Sequence, residues 1–72
     1  MDISKYGLPR SAWEQLIDEW VYSERDRRLI KRRLLDGVHL EPLAEEFDLS
    51  VQQTKSIIYK TKTRLFEHIK QP

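Results

Sequence analysis

The 72 residues include 13 basic and 12 acidic side chains, two histidines and no cysteine. A chain of this size is one domain whose apolar burial barely exceeds its conformational entropy; it has no disulfide framework, and its histidines, His39 and His68, lie too far apart in sequence to form a metal-ligand motif. No apolar run approaches the ~20 residues that span a bilayer, and MDISKYGLPRS lacks the apolar stretch of a signal peptide, so the expectation is a cytoplasmic, nucleoid-associated protein without metal or cofactor.

In chain order, residues 1–10 read as an N-terminal arm broken by Gly7 and Pro9, with Ile3, Tyr6 and Leu8 available for docking. Ser11 and Glu14 spell a capping box, and Trp13, Leu16, Ile17, Trp20 and Val21 form an apolar stripe at i, i+3, i+4, i+7 and i+8. The pattern predicts a first helix within 11–22. Ser23 caps the next segment with Asp26 at the third position, Glu24 and Asp26 suit the positive end of the helix dipole, and Gly37 supplies a left-handed stop. The second helix is therefore expected to run to about Asp36. Its apolar residues Leu29, Ile30, Leu34 and Leu35 spread around the circumference among Arg28, Arg32 and Arg33, whose stems can cover apolar surface.

Leu40, Leu43, Ala44 and Phe47 recur at helical spacing, and Pro42 falls in the first turn, where its missing N–H costs nothing. A third helix follows over about 40–47. Asp48 and Leu49 form a turn, and Ser50 with Gln53 makes a further capping box, which starts the fourth helix at Val51 and carries it towards Ile69. Thr54, Ile57, Ile58, Thr61 and Leu65 form its inward face. No strand signal competes. The expectation is an all-α bundle of about four helices in a single domain, 1–72, whose last two helices form a helix-turn-helix.

Charge alternates along this layout. Residues 1–22 carry two bases and four acids, 23–36 six and three, 37–50 none and four, and 51–72 five and one. A charge run is usually a solvated face, but the acid-free stretch from Leu49 to Phe66 is unusual in a chain so rich in Asp and Glu. The outward face of the fourth helix holds Val51, Gln52, Lys55, Ser56, Tyr59 and Lys62, with Gln53 and Lys60 at its edges. Amides read adenine, lysine reads guanine and apolar groups touch the thymine methyl in the major groove. Helix-turn-helix proteins present the first turns of the reading helix to the bases. Val51, Gln52, Gln53, Lys55, Ser56 and Tyr59 are thus candidate base readers of double-stranded DNA, while Lys60, Lys62 and Arg64 are candidate phosphate ligands. Tyr59 has a second reading, as a half-buried ring packed on the third helix.

The span SERDRRLIKRRLLDGVHLEPLAEEFDLSVQQTKSIIYKTKTRL resembles region four of bacterial sigma factors, whose pattern is an acid-and-arginine-rich helix, an acidic residue followed by Gly, an apolar-Ala-Glu helix, a short turn, Ser and a reading helix. The likeness covers about two thirds of the chain. Glu24 and Arg25, Asp36 and Gly37, Leu43 to Glu45, Leu49 and Ser50, Ile57 and Leu65 carry it. It implies major-groove binding by the fourth helix and adds Arg33 and His39 as phosphate-side candidates, although His39 also suits a cap on the third helix. Arg32 stands where the family usually has an apolar residue, Ser23 where proline is common, and Gln52 and Gln53 where charged residues are frequent, so base preference does not carry over. The promoter-melting aromatic helix of a whole sigma factor has no counterpart, and the Trp-bearing first helix lies outside the match.

The expected function is sequence-specific DNA binding by a small bacterial or phage transcriptional regulator. The alternative is an interaction module that docks on RNA polymerase through a patch containing Trp13, Trp20 or Phe66. The first helix either closes the core or offers a homodimer face. An enzyme is the weakest class, because the serines read as caps, no Gly-rich phosphate loop exists and the acids are scattered.

Overall fold

The computed structural model describes residues 6–69 and contains four helices, α1 (Arg10–Trp20), α2 (Glu24–Leu34), α3 (Leu40–Glu46) and α4 (Val51–Glu67), with no strand among the described residues. The expected all-α bundle is the fold. No helix is long and apolar enough to cross a membrane. One core joins all four segments: Ile17 and Val21 from the first, Leu29 and Ile30 from α2, Leu43 from α3, and Ile58 and Leu65 from α4. Helix α4 packs against each of the other three.

The first helix departs from expectation at both ends. It begins at Arg10 with Pro9 as N-cap, and no side chain caps it; the Pro9 carbonyl accepts from the Ala12 and Trp13 amides. Glu14 pairs with Arg10, at 3.3 Å, one turn earlier, so the Ser11–Glu14 capping box does not form. Proline's fixed φ had already set the entry angle. At the other end Val21 and Tyr22 leave the helix, because α2 captures their carbonyls: Arg27 donates Nε to Val21 O and Nη2 to Tyr22 O, the latter at 3.1 Å. Trp13 is 1% exposed and Ile17 fully buried, so α1 closes the core. Tyr6 docks the arm against Trp13 and Phe66, with ring centroids 5.8 and 5.4 Å away, whereas Leu8 stays exposed. Ile3 lies outside the described residues.

The other boundaries follow the local chemistry. The Ser23 side chain accepts from the Asp26 amide, and α2 closes near Gly37, whose φ of 71° lets the Val38 N–H reach the Arg32 carbonyl. Helix α3 ends one residue before the expected Phe47. There Asp48 adopts φ 57°, its N–H bonds to Glu45 O, and the Leu49 N–H bonds to Ala44 O at 2.9 Å. This pair of bonds is a Schellman closure with Asp in the left-handed position that Gly usually holds. Helix α4 stops at Glu67, short of Ile69, with His68 as its C-cap.

Arg32 accounts for its unusual polar position. It forms a forked pair with Glu46 of α3 at 2.9 Å and also reaches Asp36, which in turn accepts from Arg10. This chain of charges ties α1, the end of α2 and α3 together at the surface. Arg32 holds the Glu46 carboxyl, and Arg10 with Arg32 holds that of Asp36, below the ordinary carboxylate range. A carboxyl with a lower pKa in the folded state stabilises the fold above its unfolded pKa and loses that contribution as pH falls through the folded value. The melting temperature should therefore decline as pH drops below about 4, and less steeply in Glu46→Gln. Circular-dichroism melts across an acid series test this; equal slopes for the two proteins would remove the network from the account. The effect should be modest and shrink at high salt, since these groups are exposed.

Candidate nucleic-acid interface

Helix α4 owes its start to Ser50. The Ser50 Oγ accepts from the Gln53 amide at 3.0 Å, and Gln53 Oε1 accepts from the Ser50 amide at 3.0 Å, which completes the expected capping box. Inside the next turn Thr54 is fully buried and donates its hydroxyl to the Ser50 carbonyl at 2.9 Å, so a polar core residue is satisfied without a distant partner. Thr54, Ile58, Thr61 and Leu65 face the core as expected, with Ile57 half-buried at its edge.

That inward set aims Gln52, Ser56 and Tyr59 at solvent, and Thr63 continues the same ridge one turn later. Tyr59 is 69% exposed, which excludes its alternative place against α3. Val51 is 37% exposed, and Lys55 is exposed beside it. Gln53 differs from the other candidate readers. Its side-chain oxygen is held by Ser50, so only its Nε2 remains free, and we remove it from the reading set.

The candidate phosphate ligands divide between two flanks of this ridge. On one flank Arg33, His39, Val51 and Lys55 line a shallow groove beside the α3 entry, and a second groove continues past Lys55, Tyr59 and Lys62. Arg33 is placed by donating Nη1 to the Val38 carbonyl at 3.0 Å. His39 occupies the N-cap position of α3 but makes no side-chain cap bond, which leaves its exposed ring free to act on that groove. On the opposite flank Lys60 and Arg64 line a wider groove with Trp20, Tyr22, Tyr59 and His68. Sequence reasoning placed all five candidate phosphate ligands in one class and gave no sign of this division.

Charge pairing differs along the chain: Arg27 and Arg33 donate to backbone carbonyls and Arg28 lies over the Phe47 ring, none of them with a carboxylate partner among the described residues. The cations Arg10, Arg25, Lys31 and Arg32 each pair with a carboxylate. Among the described residues Lys55, Lys60, Lys62 and Arg64 pair with none. Five carboxylates, Glu14, Asp18, Asp26, Asp36 and Glu46, are held by cations outside α4, while Glu41 and Glu67 line the grooves on its two flanks without an ion pair among the described residues. The α4 cations are thus open to a polyanion, with one acid beside each group. Sequence reasoning missed two contributors. Tyr22 lies under the Arg64 guanidinium, 5.4 Å from ring centre to carbon, and nothing at Tyr22 in the sequence announces this. Thr63 was legible, since it follows Ser56 by seven and Tyr59 by four positions on one helical face.

Comparison with protein-family models, with curated proteins and with solved structures returned no match.

The capping box predicts separable effects on stability. Ser50→Ala should destabilise the fold by about 1 kcal/mol, and Gln53→Ala by a smaller amount, whereas Gln52→Ala should leave the melting temperature unchanged. Thermal melts of the three variants check this, and a Gln52 effect equal to that of Ser50 would misplace the start of α4.

Proposed function

We propose that the protein binds double-stranded DNA by laying α4 in the major groove, and that it acts as a small sequence-specific transcriptional regulator of the kind its likeness to sigma region four implies. The observation that carries this reading is the set of α4 cations left without carboxylate partners around a short polar ridge. A helix with its side chains is about 10–12 Å across, close to the ~12 Å width of the major groove. Gln52, Lys55 and Val51 sit at the front of the ridge, where amide, ammonium and methyl groups meet adenine, guanine and thymine. Ser56 and Tyr59 extend the contact by a turn. Arg33, His39 and Lys62 suit the backbone on one side, and positioning by such phosphate contacts is independent of sequence.

Of the aromatic anchors of the alternative, a docking patch for RNA polymerase, Trp13 is buried, and Trp20 and Phe66 are half-buried. One helix in one groove still buries little area, so useful specificity needs a second contact, either a second copy on a half-site about 10 base pairs away or a larger transcription complex. The α1 stripe is buried at Trp13, Ile17 and Val21 and half-buried at Leu16 and Trp20.

Binding should weaken steeply with salt. With ~3 to 5 phosphates neutralised, the slope of log K against log salt should be about −3 to −5. Fluorescence anisotropy with duplex DNA measures it, and absence of binding at ~50 mM salt would refute the proposal. In the same assay, with selected against scrambled sites, Gln52→Ala and Lys55→Ala should each reduce discrimination by ~1 to 3 kcal/mol, while Lys62→Ala should weaken all duplexes alike. Uniform weakening by Gln52→Ala would move the base contacts to another turn of the helix.

A further inference from the structure

The wide groove between the end of α1 and the second half of α4 is unexplained by a reading helix with cations on one side only. Its features are specific. Tyr22 is 69% exposed, as is Tyr59 across the groove, and between them lie Lys60 and Arg64 without carboxylate partners. Arg64 has an acid within reach along its own helix, Glu67 at i+3, yet makes no ion pair with it; its guanidinium lies over the Tyr22 ring instead. An arginine stacked on an aromatic ring keeps its N–H fork open in the ring plane, which suits bidentate capture of a phosphate.

The support beneath this pair is built. Tyr22 is fixed at its carbonyl by Arg27 Nη2, and the neighbouring Val21 carbonyl by Arg27 Nε. The last turn of α4 is fixed as well, with His68 Nδ1 2.8 Å from the Arg64 carbonyl and the His68 ring stacked 3.6 Å from Trp20. The cation thus sits between α4 and the α1–α2 connection, whose Val21 and Tyr22 carbonyls are held by Arg27 of α2. The groove is also continuous with the ridge, since Tyr59 lines the grooves on both flanks.

We propose that Tyr22, Arg64 and Lys60 form a second phosphate-binding site, which grips the DNA strand opposite the one that faces Arg33 and Lys62. This inference rests on the duplex-binding reading of α4 and adds a two-sided grip to it. A helix that nearly fills the major groove brings its two flanks against the two backbones, so cations on both flanks meet different strands. Arg64 and Lys60 touch phosphate, and Tyr22 is a positioning residue that keeps the Arg64 fork away from Glu67 and directed outward. Glu67, the one acid of α4, lines the same groove, so the site holds two cations against one carboxylate.

The test is phosphate-ethylation interference on both strands of a bound duplex, with the wild-type protein and the variants Arg64→Ala, Tyr22→Ala, Tyr22→Phe and Arg33→Ala. Wild type should show two groups of interfering phosphates, one on each strand. Arg64→Ala and Tyr22→Ala should erase one group, Arg33→Ala should weaken the other, and Tyr22→Phe, which keeps the ring, should match wild type. Arg64→Ala should also reduce the magnitude of the salt slope by about 0.9. Circular dichroism shows whether each variant is folded. A single group of phosphates in wild type overturns the two-sided grip. So does persistence of both groups in folded Arg64→Ala, a result that would leave the groove to an acidic protein segment. Loss of all duplex binding in wild type at ~50 mM salt would instead remove the underlying reading, so the two failures are distinguishable.

Discussion

The left-handed turn at Asp48 is the constraint on which the rest of the structure depends. Its φ of 57° closes α3 and lets the chain reverse in the four residues Phe47 to Ser50, so that α4 starts at a fixed rotation relative to α3. A left-handed residue costs about 1–2 kcal/mol for most L side chains, and Asp is among the few that tolerate it. The Ser50 box then locks the first turn of α4. Rotate that start by one residue and each α4 side chain turns by about 100°, which would bury Lys55 and expose Thr54 or Ile58. The direction of every candidate DNA ligand on α4 is thus decided within the six residues 48–53.

The distribution of charge completes the arrangement. A net charge of +1 gives little overall attraction to a polyanion. What bears on a polyanion is where the unpaired cations lie. Glu46 and Asp36 occupy Arg32, Asp18 occupies Lys31, and Glu14 and Asp36 share Arg10. These pairs are exposed and individually weak, and they hold Glu14, Asp18, Asp36 and Glu46 on the α1–α2–α3 side, whereas Glu41 and Glu67 remain beside the α4 grooves. The same carboxylates that join the first three helices are thereby kept away from α4. Structure and electrostatics are coupled through Arg32 in particular, whose charge is neutralised in the act of clamping α3.

Much of this was legible in the sequence where a residue type has one dominant physical use. The Ser23 and Ser50 caps, the Gly37 stop and the inward Thr54, Ile58, Thr61 and Leu65 are local and periodic signals, and all are present in the structure. The Ser11 box failed because two other local signals, Pro9 and the Arg10–Glu14 pair, acted one turn earlier. Gln53 satisfied two patterns at once, cap and reader, and the backbone donor claimed its oxygen. What the sequence could not display were contacts between elements. Arg27 drawing Val21 and Tyr22 out of α1, Arg32 crossing to Glu46, and Tyr22 meeting Arg64 span 5 to 42 positions and depend on how the helices pack. The division of the cations into two flanks follows from those contacts and was hidden with them.

The central claim is that the outward ridge of α4 is the surface that meets duplex DNA. Backbone amide chemical shifts of isotopically labelled protein, followed by NMR during titration with a duplex at low salt, test it most directly. The account predicts the largest changes along α4 from Val51 to Thr63 and at the Arg33–His39 approach to it, with the solvent face of α1 around Gln15 and Glu19 unchanged. Changes centred on α1, or none on α4 while the protein remains folded, would contradict it.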